Sequence, residues 1–195
     1  MSNMSQLGFY FNEAACSGCR ACQVACKDRN DLPVGVAFRK VTSYQSGTYP
    51  NGRIYHHSST CNHCVNPACV ANCPTGAMQK AEDGTVVHDD ALCIGCENCV
   101  RACPYTVPVL LEDKGIVGKC DSCKAQRDAG HNPVCVDACI MRALDFGEID
   151  QLVEKYGPDL VYDMPYLPSS ETTGPSTLIK PKECALSEEF EVALL

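Results

Sequence analysis

Cys93-Ile94-Gly95-Cys96-Glu97-Asn98-Cys99-Val100-Arg101-Ala102-Cys103-Pro104 reads C-x2-C-x2-C-x3-C-P. Three thiolates this close can wrap one corner of an iron–sulfur cube, while the fourth, three residues on, is directed to a different cluster. Iron with bridging sulfide favours soft anionic sulfur donors, and two-residue gaps let the backbone loop round the centre with its amides facing the sulfurs. Gly95 relaxes the turn where backbone crowds that centre, and Pro104 fixes the exit of the fourth ligand. Zinc knuckles also use C-x2-C pairs, but two such pairs usually lie a dozen or more residues apart. Four cysteines inside eleven residues would close one tetrahedron poorly.

Working outward, four such groups consume sixteen of the seventeen cysteines. Group one is Cys16, Cys19, Cys22 and Cys26, with the same spacing as the quoted stretch, which is group three. Group two is Cys61, Cys64, Cys69 and Cys73; group four is Cys120, Cys123, Cys135 and Cys139, where Lys124 to Val134 widens the middle gap. The groups share their surroundings, which indicates an internal repeat. Phe9-Tyr10-Phe11-Asn12-Glu13-Ala14-Ala15-Cys16 parallels Val86-Val87-His88-Asp89-Asp90-Ala91-Leu92-Cys93: a short strand, an acidic turn and a ligand loop. Cys73-Pro74-Thr75-Gly76-Ala77-Met78 parallels Cys139-Ile140-Met141-Arg142-Ala143-Leu144, each a turn leading to a strand. Asp83-Gly84 supplies a hairpin turn between Met78-Gln79-Lys80 and Thr85-Val86-Val87. Two copies of a ferredoxin-like βαβ half are thus visible around groups two and three, with groups one and four as the other two copies joined across the whole chain.

The rest of the chain carries weaker signals. Lys40 to Ser59 reads as a connecting loop with one strand at Arg53 to His57. Ile149, Leu152, Val153 and Tyr156 follow helical spacing up to Gly157-Pro158, which predicts an amphipathic helix. From Asp163 on, the Pro/Ser/Thr-rich tail has no periodicity that could bury a core, so it is expected to lie along a partner or stay mobile. The Lys124 to Val134 insertion is expected to form a surface excursion. Met78 and Leu144 read as core filler, Cys184 as a free thiol, and Glu188, Glu189 and Glu191 as a solvated acidic end. His56, His57, His63, His88 and His131 lack regular ligand spacing; polar surface or supporting roles suit them better than metal binding.

Composition excludes several classes. Seventeen cysteines in 195 residues demand a disulfide scaffold or a metal protein. Clustering in C-x2-C units, without a secretory signal, favours metal. Met1 to Phe11 shows no basic n-region, long apolar run or twin arginine, so no export address is expected in it. The best apolar run, Val107 to Leu111, contains Pro108 and is far too short for a membrane span. A net charge of −8 argues against nucleic acid. Neither a glycine-rich phosphate loop nor a Ser-His-Asp arrangement can be argued from spacing.

The order and spacing of the four groups resemble the electron-transfer β subunits of the dimethyl sulfoxide reductase group of molybdopterin oxidoreductases. So do Cys26-Lys27-Asp28, Ser59-Thr60-Cys61-Asn62-His63-Cys64, Cys93-Ile94-Gly95-Cys96 and Arg142-Ala143-Leu144-Asp145-Phe146-Gly147, and the similarity runs from about Phe9 to Ile149. The resemblance implies four [4Fe-4S] clusters with exchanged last ligands. Cys16, Cys19 and Cys22 would act with Cys139, and Cys120, Cys123 and Cys135 with Cys26. Cys61, Cys64 and Cys69 would act with Cys103, and Cys93, Cys96 and Cys99 with Cys73. Some relatives replace the second cysteine of group three and hold a three-iron cluster; Cys96 implies a four-iron one here. Ile140 departs from the proline that often follows the last ligand.

The implied fold is α+β and loop-rich, with two ferredoxin-like lobes. Residues 1–58 and 104–160 would carry groups one and four, residues 59–103 groups two and three, and residues 161–195 an extended tail. The implied function is a relay of single electrons, with no catalytic site of its own, within an anaerobic respiratory reductase. It would join a membrane subunit oxidising quinol, nearest the group-three cluster, to a molybdopterin catalytic subunit, nearest the group-one cluster. The outer face of the cytoplasmic membrane, reached by co-export with the catalytic partner, is the implied location, with the cytoplasmic face as the alternative. A soluble polyferredoxin-type carrier serving a cytoplasmic hydrogenase or formate-oxidising complex is the second reading, and a structural zinc protein the third.

Overall fold

Phe9, Tyr10 and Phe11 are all buried, at 2% exposure or less, which a strand achieves only when both its faces are covered. In the computed structural model, which describes residues 6–193, they form β1 (Leu7–Asn12). The first five residues of the Met1 to Phe11 segment lie outside the described residues. After β1 come α1 (Ala21–Arg29), β2 (Lys40–Ser46), β3 (Arg53–Ser59), α2 (Ala68–Ala71), β4 (Met78–Lys80), β5 (Val86–His88) and α3 (Asn98–Ala102). The remainder is β6 (Val109–Leu111), β7 (Ile116–Gly118), α4 (Lys124–Asp128), α5 (Val134–Asp137), β8 (Leu144–Glu148), α6 (Ile149–Tyr156), β9 (Thr177–Lys180) and β10 (Glu191–Val192).

β1 is the centre of a three-stranded sheet, antiparallel to β8 and parallel to β9. Phe9 faces Phe146 and Phe11 faces Leu144 across one edge, while Tyr10 faces Leu178 across the other. Phe9 and Phe11 point to the cysteine-lined core. Tyr10 points to α6, where it packs with Leu152 and stacks on Tyr156 at 3.6 Å between ring centroids. Gly8 is obligatory here, because a Cβ would strike the Ser176 carbonyl and the Ile149 side chain. β4 and β5 repeat the β1/β8 pairing as a local hairpin, Met78 facing His88. The Asp83 carboxylate fixes its turn by accepting from the Thr85 amide (2.9 Å) and hydroxyl (2.6 Å).

Two expectations are corrected. Lys40–Ser59 is a paired hairpin, β2 against β3, and not a loop with one strand. Its Tyr, Ser and Thr residues suit a sheet half covered by aromatic rings, and Tyr44, Tyr55 and Tyr166 stack there. The tail folds onto the molecule: β9 pairs with β1, β10 pairs with β2, and Met164, Leu178, Ile179 and Ala185 are buried. It shows no period because its elements are a few residues long and β9 is covered on both faces. β6 and β7 lie between two cores: Leu110 and Val117 pack with Cys69, Met78, Val86 and Cys99, and Val109 and Leu111 with the core of Cys22, Cys26, Cys120 and Cys135.

The insertion after Cys123 starts with α4 and is partly anchored. Arg127 reaches Asp83 at 3.0 Å and lies over the Phe146 ring, joining the β4/β5 turn to β8. The α6 helix and the burial of Met78 and Leu144 agree with the sequence reading.

Candidate metal centres

The three-residue gap that ends every group is a helical device. Cys22 and Cys26 lie in α1; Cys69 in α2, Cys99 in α3 and Cys135 in α5 each precede the last cysteine of their group by four residues. Residues four apart share a helix face but are displaced by about 6 Å along the axis. One helical turn therefore presents its two sulfurs to two different centres.

The loops before these helices are shaped by left-handed residues at one repeated position. Gly18, His63, Gly95 and Ser122, each just before the second cysteine of its group, have φ of 70°, 44°, 66° and 57°. A Cβ at Gly95 would hit the Gly115 carbonyl, and one at Gly18 would meet the His56 ring at 2.6 Å. Three residues after the last cysteine of groups two, three and four, Gly76, Thr106 and Arg142 are also left-handed, at 71°, 53° and 51°. Only half of the first set are glycine, so the sequence showed this turn incompletely.

The structure brings the thiols together across groups. Cys16, Cys19, Cys22 and Cys139 line one cavity; Cys61, Cys64, Cys69 and Cys103 a second; Cys73, Cys93, Cys96 and Cys99 a third. Cys26, Cys120, Cys123 and Cys135, all buried, make a fourth set: Cys26, Cys120 and Cys135 share one core, and Cys26 feels the charge of each of the other three. We number these sets as sites 1, 3, 4 and 2, so that the site of Cys26 is site 2.

All seventeen cysteines, Cys184 included, are free thiols. Among the described residues no cluster of His, Cys, Asp or Glu converges tightly enough to hold a single metal ion. Soft donors set around a cavity, free of one another, fit an iron–sulfur cube.

Burial pushes the Cys26 and Cys61 thiols up to about 12, and neighbouring thiolates add to this. Cys69 and Cys123 rise to about 11 for the same leading reason. Without iron such thiols keep their protons; loading them must release protons. Cys73 is the exception: burial is the largest single effect and raises its pKa, but hydrogen bonds from Met78, Thr75 and Ala77 together outweigh it and lower the pKa. Backbone amides also donate to sulfur from Val117 to Cys93 (3.4 Å), Ser122 to Cys120 (3.3 Å) and Ala143 to Cys139 (3.2 Å). Thr173, from the tail, donates its hydroxyl to Cys64 at 3.2 Å.

The sites follow one another. Cys22 of site 1 acts electrostatically on Cys135 of site 2, and Cys120 of site 2 on Cys61 of site 3. Cys69 of site 3 and Cys99 of site 4 share a small core with Met78, Val86 and Val117. Buried cations lie among them: Arg39 beside sites 1 and 2, and Lys119 lining site 3 while bonding the Val86 and Cys120 carbonyls. Neither was found from sequence. The only available signal was a cation flanked by apolar residues or a ligand, Ala37-Phe38-Arg39 and Lys119-Cys120.

Two of the histidines read as polar surface or support are interior, where a supporting role is the one that fits. His63 is fully buried and accepts the Val86 amide on Nδ1 at 2.9 Å. His57 packs edge-on to Phe11 and meets the Tyr166 hydroxyl, which donates to buried Glu13 at 2.6 Å. Burial, followed by the Arg39 charge, lowers the His57 pKa from 6.5 to about 3. Between these values the unfolded chain binds a proton that the folded chain refuses. The His57 contribution is therefore complete above pH 6.5 and is lost as pH falls toward 3. Stability should fall by about 1.4 kcal/mol per pH unit on this account, and His57→Gln should remove that slope. Glu13, raised by burial, acts in the opposite sense at higher pH, so the variant, not the wild-type profile, isolates the imidazole. Anaerobic urea unfolding at several pH values measures both slopes; equal slopes would refute the assignment.

Two segments match a 4Fe-4S dicluster domain, residues 53–149 and residues 15–77. The protein is 43% identical over 191 residues to the B subunit of anaerobic dimethyl sulfoxide reductase from Haemophilus influenzae, covering 93% of this sequence and 92% of that one. It is 45% identical over 185 residues to the Escherichia coli K12 protein of the same name, covering 91% and 89%. The thiosulfate reductase electron transfer subunit PhsB of Salmonella typhi is 40% identical over 144 residues, covering 72% and 74%.

Proposed function

The protein belongs to the 4Fe-4S dicluster family that includes the B subunits of anaerobic dimethyl sulfoxide reductases, and from that membership we propose that it relays electrons through four [4Fe-4S] clusters. It is the electron-transfer subunit of a reductase complex and not the catalytic one. When bound, each cluster supplies a one-electron acceptor and donor whose potential the surrounding protein sets.

Each site takes three thiols from one group and the last from its partner group, as numbered above. On this reading groups one and four build one ferredoxin-like lobe around β1/β8, and groups two and three build the other around β4/β5. The single observation that carries the proposal is the succession of the four thiol sets: sites 1, 2 and 3 have cysteines in one buried core, and sites 3 and 4 share a second. Amide donors and buried cations favour the more negative, reduced state, and the buried walls of site 2 keep water out. The two ends of the series are the open ones. At site 1 Cys19 is exposed and so is Ile140, which follows the ligand Cys139; at site 4 Leu92 and Ile94, flanking Cys93, are exposed. Exposed apolar residues beside a redox site suit a docked partner. The site 1 end would face a molybdopterin catalytic subunit, and the site 4 end a membrane subunit handling quinol. Among the described residues no helix is long and apolar enough to cross a membrane, so attachment would come through that second subunit. Placement on the outer face, by export with the catalytic partner, completes the proposal.

Breaking the series in the middle tests it. Cys61→Ala in the assembled complex should leave site 4 reducible by quinol and site 1 reducible by dithionite, yet stop quinol-driven turnover by about 100-fold or more, beyond the ~10–100-fold typical of outer-shell changes. Turnover within a few-fold of wild type would overturn the relay.

A further inference from the structure

Arg39 is the largest fully buried side chain among the described residues, at 1% exposure, and no carboxylate there pairs with it. The ion pairs among those residues are His88–Asp90, Lys124–Asp128, Arg127–Asp83 and Lys155–Asp145. A guanidinium stays charged at any working pH, and a buried charge needs an opposite one. Its Nη1 donates to the Ser58 carbonyl at 3.0 Å and the Ser58 hydroxyl at 3.1 Å, and its Cζ lies 4.7 Å from the Phe9 ring centre. Nε and Nη2 meet no acceptor at hydrogen-bonding geometry among the described residues.

The missing negative charge is that of the sulfurs. The Ser58 hydroxyl that Arg39 holds sits 3.4 Å from the Cys22 sulfur of site 1. The Phe9 ring beneath the guanidinium belongs to one buried core with Cys135, Cys22, Cys120 and Cys26. Three of these four belong to site 2 and one to site 1.

We propose that Arg39 is a shared counter-charge for sites 1 and 2, holding their reduction potentials up and leaving sites 3 and 4 unaffected. The inference rests on the ligation proposed above. An electron placed on either neighbouring centre adds one negative charge beside a cation that has no carboxylate to satisfy it. The reduced state of both centres is stabilised from one position. Lys119 lines site 3, and its ammonium bonds the Val86 and Cys120 carbonyls, whereas Arg39 reaches Cys22 of site 1 through the Ser58 hydroxyl.

The test is anaerobic redox titration of the whole complex, followed by electron paramagnetic resonance, with iron content measured on the same samples. Arg39→Gln should retain the wild-type iron content and lower two of the four midpoint potentials. Each should shift by at least tenfold in its reduction equilibrium, about 59 mV for a one-electron couple. Arg39→Lys should restore at least half of both shifts, which a purely structural role would not. Unchanged potentials, a common shift of all four, or a Lys variant indistinguishable from Gln would each overturn the proposal while leaving the four-cluster reading intact. Fewer than four clusters in the wild type would instead overturn the reading beneath it. Should Arg39→Gln lose iron, the neutral Arg39→Met, which fills more of the buried volume, takes its place. It should lower the same two potentials, and no movement in either would overturn the proposal.

Discussion

Cys103→Ala is expected to remove the cluster of Cys61, Cys64 and Cys69 while sparing that of its own sequence neighbours, Cys93, Cys96 and Cys99. The reason is the helical turn between Cys99 and Cys103, which carries the second sulfur about 6 Å along the axis and into the cavity that Cys61, Cys64 and Cys69 line. Iron should fall by about a quarter, or by less if a three-iron remnant persists on three thiolates. The difference spectrum against wild type should match that of Cys64→Ala and not that of Cys96→Ala. Electron throughput should drop by about 100-fold or more, exceeding the ~10–100-fold effects of outer-shell changes. A match to Cys96→Ala would mean that each group closes its own site.

Truncation after Tyr162 is expected to abolish the folded state. The cut removes β9 from β1, exposing a strand edge whose Phe9, Tyr10 and Phe11 are buried. It also takes away Tyr166, which donates to buried Glu13 at 2.6 Å, and Thr173, which donates to Cys64. Leu178 and Ile179, at 1% and 2% exposure, would leave as well. Burial of one such side chain is worth about 2–5 kcal/mol by substitution to Ala, and a whole domain holds only about 5–15 kcal/mol. The shortened protein should be insoluble or free of iron, whereas Leu178→Ala should fold with a loss of about 2–5 kcal/mol. An iron-loaded, soluble truncation would show that the tail is an appendage.

Legibility in the sequence followed chemistry that is local. Sixteen sulfurs in four spaced groups, the Asp83-Gly84 hairpin and the Ile149–Tyr156 helix are written in short stretches, and the structure has them where the spacing put them. The pairing of β1 with β8 was readable only through the repeat, because it joins residues more than a hundred positions apart. β9 was missed because Leu178 and Ile179 serve opposite faces, so no alternation marks the strand. β2 was missed because Lys40–Ser46 looks like a polar loop until Tyr55 and Tyr166 cover it. Arg39 and Lys119 were invisible for a different reason. A cation is ordinarily read as surface, and these two are interior, Lys119 lining a thiol site and Arg39 tied to one through Ser58.

The same contrast separates what the thiols do from what the rest of the core does. His57, His63 and Glu13 are buried polar groups that belong to the packing between β1, the β2/β3 hairpin and the tail. They fix where the ligand loops lie without facing a cavity as donors. Their pH dependence should consequently appear in stability, and the Arg39 dependence in potential.

X-ray diffraction from the loaded complex, with anomalous maps calculated at the iron edge, tests the account most directly. Four cube-sized peaks are predicted, each bounded by three thiols of one group and the last thiol of its partner group: Cys139 at the first site, Cys26 at the second, Cys103 at the third and Cys73 at the fourth. A peak ringed by all four cysteines of a single group, or one the size of a lone ion, would contradict it.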